Sequence, residues 1–208
     1  VLFVATFVLG FAAKAVPALR FDGLDAAVNR VNAPVLDNLA LVLDQLDRPA
    51  VVAVILGIVF IVLFFVEGWR LALGVCVVTG LGWLTTLVVK AVVAQPRPTA
   101  GGLSHLIHVN PATLSYPSGH VVFAVALVTA LTMVCRTAAA RTAVLVVGAV
   151  FVLIVAWSRL YVGVHYGTDV VGAALNGVAG ALLFAGLWNL VTTRATAGRS
   201  RAGYVASR

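Results

Sequence analysis

The 208-residue chain is 62% hydrophobic and 10% charged, with a mean hydropathy of +1.09; soluble domains carry about 25% charged residues, so the composition excludes a water-soluble globular fold. The net charge is +7 and the pI about 10.3. The basic residues are scattered between apolar segments rather than gathered in one patch, which argues against nucleic acid as a partner.

A membrane-crossing helix needs about 20 largely apolar residues. Six segments approach that requirement, at residues 1–19, 49–66, 71–89, 116–135, 142–158 and 170–193. The predicted fold is therefore all-α, an integral membrane six-helix bundle forming a single domain over residues 1–208. The first segment carries Lys14 and lacks a small-residue cleavage pattern, so it reads as a retained helix rather than a signal peptide. Between the first two spans, Leu36, Leu39, Leu43 and Leu46 recur at helical spacing, with Asp37, Asp44 and Asp47 as the polar residues. This rhythm predicts a short amphipathic interfacial helix over residues 21–46, with a loop packed on the bundle as the alternative. Gly172, Gly177, Gly180 and Gly186 in the last span read as sites of close helix packing. Cys76 and Cys135 lie on different segments and provide neither a disulfide framework nor a metal cluster.

Counting alternate connections and the basic tail at 194–208, one side holds seven arginines: Arg70, Arg136, Arg141, Arg194, Arg199, Arg201 and Arg208. The other side holds Arg20, Arg30 and Arg48, besides Lys90, Arg97 and Arg159, which belong to the motifs below. With those three set aside, the positive-inside rule places the arginine-rich side in the cytoplasm and the motifs on the extracytoplasmic side.

Three strings concentrate ionisable residues at segment ends, where each is costly and by default functional. In the first, Lys90 is followed after six residues by Arg97-Pro98, and Pro96 and Pro98 stop the helix. Alone, the two cations could equally snorkel to lipid headgroups. The second is Pro117-Ser118-Gly119-His120. Ser118 is placed as an N-cap, Gly119 lets a ligand approach the main chain, and the free N–H groups and helix dipole make an anion site beside His120. Alone, it is also an ordinary turn before a helix. The third is Ser158-Arg159, five residues, His165, three residues, Asp169, with Arg159 and His165 expected on the loop after the fifth span. A carboxylate bonded to one ring nitrogen sets the tautomer and orients the other nitrogen as a nucleophile; a His–Asp pair capping the last helix is the structural alternative. Lys90, Arg97 and Arg159 are suited to neutralising a phosphate, and phosphoryl transfer is catalysed mostly by positioning and charge neutralisation. Asp169 is the one acidic residue in the three strings, so they imply no metal and no cofactor.

The strings resemble the signature of the type 2 phosphatidic acid phosphatase superfamily, Lys-x6-Arg-Pro, Pro-Ser-Gly-His and Ser-Arg-x5-His-x3-Asp, matched in order from Lys90 to Asp169. The resemblance implies that His165 attacks phosphorus to form a phosphohistidine while Asp169 holds it. It also implies that His120 protonates the departing oxygen and then activates water, and that Lys90, Arg97, Ser118, Gly119 and Arg159 bind the phosphoryl oxygens. That family includes soluble vanadium haloperoxidases, which fit a membrane-embedded chain poorly, and phosphatases of soluble sugar phosphates. A site at the mouth of a small bundle favours a lipid phosphate as partner, with membrane lipids around it: polyprenyl diphosphate, such as undecaprenyl diphosphate of the cell envelope, or phosphatidic acid or phosphatidylglycerol phosphate. The compact chain points to a bacterial inner membrane. A lipid-phosphate carrier or flippase without hydrolysis is the other class of function, but it has no need of His165 and Asp169 at nucleophile spacing or of a second histidine. Residues 99–115, with His105, His108 and Asn110, read as a lid over the headgroup or as an exposed connector. The oligomeric state is not legible.

Overall fold

Long apolar runs fold as helices because, away from water, a helix satisfies every backbone group within its own segment. The computed structural model describes residues 1–31, 33–98 and 113–206. These form α1 (Leu2–Ala15), a 3-10 turn (Pro17–Arg20), α2 (Asp22–Asn29), α3 (Pro34–Leu43), α4 (Pro49–Glu67), α5 (Trp69–Val93), α6 (Gly119–Val134), α7 (Ala138–Tyr161) and α8 (Gly167–Ala206). The helices α4, α5 and α7 and the stretch Gly167–Thr193 of α8 are long and apolar enough to cross a membrane. At 14 and 16 residues, α1 and α6 are shorter.

The outer surface is apolar. Phe65, Val88, Val147, Leu153 and Val191 are among many large side chains more than half exposed, a surface that water would not tolerate and lipid requires. The protein is an integral membrane protein, with α5 and α8 at its centre. Helix α5 packs against α1, α4, α6 and α8, and α8 packs against α1, α5 and α6.

Between helices in lipid there is no hydrophobic drive, so close backbone contact is the attraction available, and small residues provide it. A Cβ on Gly180 would lie 2.9 Å from both Cα and the carbonyl oxygen of Gly82, so the two glycines mark where α5 and α8 touch backbone to backbone. Gly177 sits equally close to Val125 of α6. Gly10 and Gly172 flank the ring of Tyr116, whose hydroxyl donates to the Thr6 carbonyl at 2.5 Å, so that α1 and α8 clasp the segment leading into α6. Gly186, expected to serve the same purpose, has open space beside it. Gly68, at φ +90°, turns α4 into α5 in a conformation that L side chains rarely adopt.

Two expectations need correction. Instead of one amphipathic helix over residues 21–46 there are two, because Pro34 starts α3 and holds Ala33 extended before it. Both lie on the end of α7: Asn29 donates to the Tyr161 carbonyl at 2.9 Å, and the Tyr161 hydroxyl donates to Asp37 at 2.5 Å. Arg159, placed on a loop by the sequence reading, belongs to the last turn of α7, which runs to Tyr161.

The close crossing of α5 and α8 yields a stability prediction. Gly180→Ala should lower the melting temperature of the detergent-solubilised protein, since overpacking costs about 1–3 kcal/mol, or roughly 2–4 °C per kcal/mol at this size. Gly57→Ala, with nothing within 4 Å of the added carbon, should not lower it. Equal melting temperatures for the two variants would show that the helices do not meet at Gly82 and Gly180.

Candidate active site

Helix direction brings the three strings to one end of the bundle. There α1, α5 and α7 finish and α4, α6 and α8 begin, and hydrogen bonds tie the ends together. Lys14 of α1 donates to the last carbonyl of α5, that of Val93, at 2.6 Å, placing a cation at a helix C-terminus where the dipole favours it. At the opposite end Arg136 pairs with Glu67.

The first string is locked by its own loop. After α5, Ala94 adopts a left-handed conformation, Pro96 forms an antiparallel bridge with Leu114, and the Ser115 amide donates to the Gln95 carbonyl at 2.8 Å. Lys90 Nζ donates to the carbonyls of Leu114 and Ser115 at 2.9 and 3.3 Å. Arg97 Nε donates to Thr113 Oγ1 at 2.7 Å and its Nη1 to the Val164 carbonyl at 2.8 Å, one residue from His165. His105, His108 and Asn110 lie outside the described residues, as does most of the proposed lid.

The second string opens α6. Ser118 occupies the N-cap position, but its side chain makes no capping bond; its hydroxyl is buried with no partner among the described residues, while its amide donates to the Asp169 carbonyl at 3.3 Å. A buried hydroxyl is costly to leave unpaired, and Thr79, Thr86 and Thr168 share that condition. The amides of Gly119, His120 and Val121 begin the helix and have no carbonyl one turn earlier within it.

The third string supplies the carboxylate-held histidine. Asp169 Oδ2 lies 3.2 Å from His165 Nδ1 and accepts the Tyr166 amide at 2.8 Å, while Oδ1 accepts from Gln95 Nε2 at 3.0 Å. Bonded on both oxygens, the carboxylate is fixed and fixes the ring. His165 Nε2 has no hydrogen-bond partner among the described residues. Burial, reinforced by the charges of Arg97, Lys90, His120 and Arg159, holds the His165 imidazole well below the usual histidine range. It is therefore neutral at pH 7, with a lone pair available.

Arg159 is fully buried. Its Nε donates to Ser158 Oγ at 3.1 Å, Nη2 to the Ala40 carbonyl at 3.1 Å and Nη1 to Asp44 Oδ1 at 2.5 Å, with His120 Nε2 3.3 Å from Nη1. His120 Nε2 also lies 3.1 Å from the Asp44 carbonyl, and Nδ1 lies 3.6 Å from Asp47 Oδ2. Trp83 Nε1 donates to the other oxygen of Asp47 at 2.7 Å. Gly119 leaves room for that carboxylate: a Cβ would sit 2.5–2.8 Å from it, and Asp47 would have to move.

The eight residues singled out in the sequence thus lie at one end of the bundle, seven of them in hydrogen bonds and Gly119 against the Asp47 carboxylate. Three others were missed. Gln95 lies in the spacer of the first string, and Asp44 and Asp47 were read only as the polar face of a surface helix. The scarcity of acidic residues, seven in the chain, was the available signal. Among the described residues, no three His, Cys, Asp or Glu side chains converge as metal ligands.

The crystal structure of a transmembrane PAP2-type phosphatidylglycerolphosphate phosphatase from Bacillus subtilis superposes with a TM-score of 0.73, at 24% identity over 89% of this chain and 93% of that one. The crystal structure of Aquifex aeolicus LpxE superposes with a TM-score of 0.60, at 21% identity over 78% and 92% of the respective chains. At these identities the likeness is one of fold. Comparison with curated proteins finds no match. The PAP2 superfamily model matches residues 69–193, a span that starts at α5 and takes in all three strings, and the chain belongs to the PAP2 superfamily.

Proposed function

We propose that this protein is a metal-independent membrane lipid phosphatase that works through a phosphohistidine at His165. The observation that carries the reading is the His165–Asp169 pair: Nδ1 is held by a carboxylate that is itself bonded on both oxygens, and Nε2 has no partner among the described residues. In the first step Nε2 donates its lone pair to phosphorus, the bond from phosphorus to the leaving oxygen breaks, and His120 supplies that oxygen with a proton. In the second, His120 takes a proton from water as the water oxygen attacks phosphorus, the N–P bond breaks, and inorganic phosphate leaves with His165 restored. Lys90, Arg97, Arg159 and Ser118, with the amides opening α6 at Gly119, hold the phosphoryl oxygens and neutralise charge as it develops.

The substrate class is a terminal phosphate on a lipid, either a polyprenyl diphosphate or a phospholipid phosphate such as phosphatidic acid or phosphatidylglycerol phosphate. Two features support it: an apolar outer surface that carries the site to the membrane boundary, and the phosphatidylglycerolphosphate named for the Bacillus subtilis neighbour. We further propose six crossings. At 1.5 Å per residue, α1 and α6 span roughly 21 and 24 Å, short of a hydrocarbon core of about 30 Å. The first half of α6 is buried in protein from Gly119 to Ala126, so its site end need not reach lipid. Charge distribution supports placing α2 and α3 at the extracytoplasmic interface and the arginine-rich end in the cytoplasm; the compact chain and arginine-rich tail support a bacterial inner membrane.

The mechanism predicts that purified protein releases phosphate from lipid phosphates in excess chelator and is inhibited by orthovanadate, a mimic of five-coordinate phosphorus. Turnover abolished by chelator and restored by magnesium would refute it. The histidines should fail differently. His165→Ala should lose turnover on every substrate. His120→Ala should lose about 10²- to 10⁴-fold on a lipid monoester and recover much of that on an aryl phosphate, whose leaving group needs no proton. Equal losses on both substrates would remove His120 from the acid role.

Orientation is tested by cysteine labelling in intact cells, with Cys76 and Cys135 replaced by serine. Phe21→Cys should react with an impermeant maleimide added outside, and Thr137→Cys should not; the opposite pattern would invert the topology.

A further inference from the structure

We infer that Asp44 is an internal competitor for the phosphate position on Arg159: every phosphate ligand is weakened by the cost of displacing its carboxylate, so that terminal phosphomonoesters, which bind more strongly, still occupy the site while phosphodiester headgroups do not. The inference rests on the phosphatase reading for its biological sense, but its physical content is a competition for one binding position.

The three cations are built alike. Each spends two donor positions on protein oxygens: Lys90 on the Leu114 and Ser115 carbonyls, Arg97 on Thr113 and Val164, Arg159 on Ser158 and Ala40. These bonds aim the cation and leave donor capacity over. For Lys90 and Arg97 the remaining N–H groups have no partner among the described residues. For Arg159 the remaining nitrogen, Nη1, is covered by Asp44 Oδ1 at 2.5 Å.

Asp44 also covers the second reacting position. Its backbone carbonyl lies 3.1 Å from His120 Nε2, the nitrogen that would face the leaving oxygen. One residue thus sets a carboxylate oxygen on a phosphate-binding donor and a carbonyl oxygen on the proposed acid, the two places where substrate oxygens belong. Arg159 also has bonds to Ser158 and Ala40 that do not involve the carboxylate. Helices α2 and α3 are likewise tied to Tyr161 through Asn29 and Asp37. The Asp44 side chain is a quarter exposed, so it can leave toward water, whereas Asp47, three residues on, is anchored by Trp83 and would keep the turn in place.

The chemistry of a membrane makes such a residue useful. Phosphodiester headgroups surround the site in excess, each phosphate carrying one negative charge, while a terminal phosphomonoester carries about 1.5 to 2 near pH 7. Exchanging the Asp44 carboxylate for a diester replaces one single charge with another and gains little. A monoester brings more charge and more acceptor oxygens to Lys90, Arg97 and Arg159, and displaces the carboxylate.

The test measures binding in the His165→Ala background, which removes turnover, using calorimetry with dihexanoyl phosphatidic acid as monoester and dihexanoyl phosphatidylglycerol as diester. Adding Asp44→Asn should tighten both ligands about tenfold or more, the scale of one charge-assisted hydrogen bond, and so bring the diester into the range where it occupies the site. Asp44→Glu should restore the weaker affinities. Asp44→Ser serves as a second neutral variant should the asparagine protein fail to fold. Affinities that stay unchanged, or fall together, would overturn the inference and reduce Asp44 to a support for Arg159. A wild-type protein that releases no phosphate from any lipid would defeat the phosphatase reading alone, because the affinities report on Asp44 in either case.

Discussion

A guanidinium with no exposed surface organises this end of the molecule. Arg159 is charged under all ordinary conditions, and a charge removed from water must be matched by hydrogen bonds or the fold loses several kcal/mol. Its partners come from Ser158 beside it in α7, Ala40 at the end of α3 and Asp44 just after α3, while His120 of α6 lies against it. Satisfying one side chain therefore draws three elements, distant in sequence, over the mouth of the bundle. Helix α3 and the turn after it lie at this end of the bundle for that reason.

The same economy governs the other ionised groups. Asp169 accepts from Tyr166 and Gln95 and lies against His165, and its own carbonyl accepts the Ser118 amide, joining the starts of α6 and α8. Lys90 and Arg97 take their fixed partners from backbone carbonyls and one threonine hydroxyl, leaving donors over. The histidine between them stays neutral because burial and four neighbouring positive or titratable groups all oppose its protonation. A cation-rich pocket and a neutral imidazole are thus consequences of one arrangement. Beneath it, the Gly82–Gly180 contact brings α5 and α8 close enough for Lys90 and Asp169 to share a site.

Much of this could be read before any coordinates. Charges are so rare in an apolar chain that spacing alone exposed Lys90, Arg97, His120, Arg159, His165 and Asp169, and helix direction brought them to one end. Where the reading failed, short-range pattern could not carry it. The rhythm of Leu36, Leu39, Leu43 and Leu46 suggested one continuous helix, but Pro34 interrupts the segment. Asp44 and Asp47 looked like the polar face of that helix, because nothing local reveals a partner 115 residues away in Arg159. Gln95 was hidden as a spacer residue. Ser158 through Tyr161 continued helical after the hydrophobic run had ended, since a buried arginine with its bonds satisfied need not terminate a helix. Gly186 shows the converse error: a small residue in a glycine-rich stretch that touches nothing.

The central claim is that His165 is the atom donor to phosphorus, and trapping the intermediate tests it most directly. Protein mixed with a lipid phosphate labelled at the terminal phosphate, quenched in base within the first turnover and mapped by mass spectrometry, should carry acid-labile, base-stable phosphate on His165. That label should be absent from His165→Ala. Label on any other residue, or turnover without any protein-bound phosphate, would contradict the account.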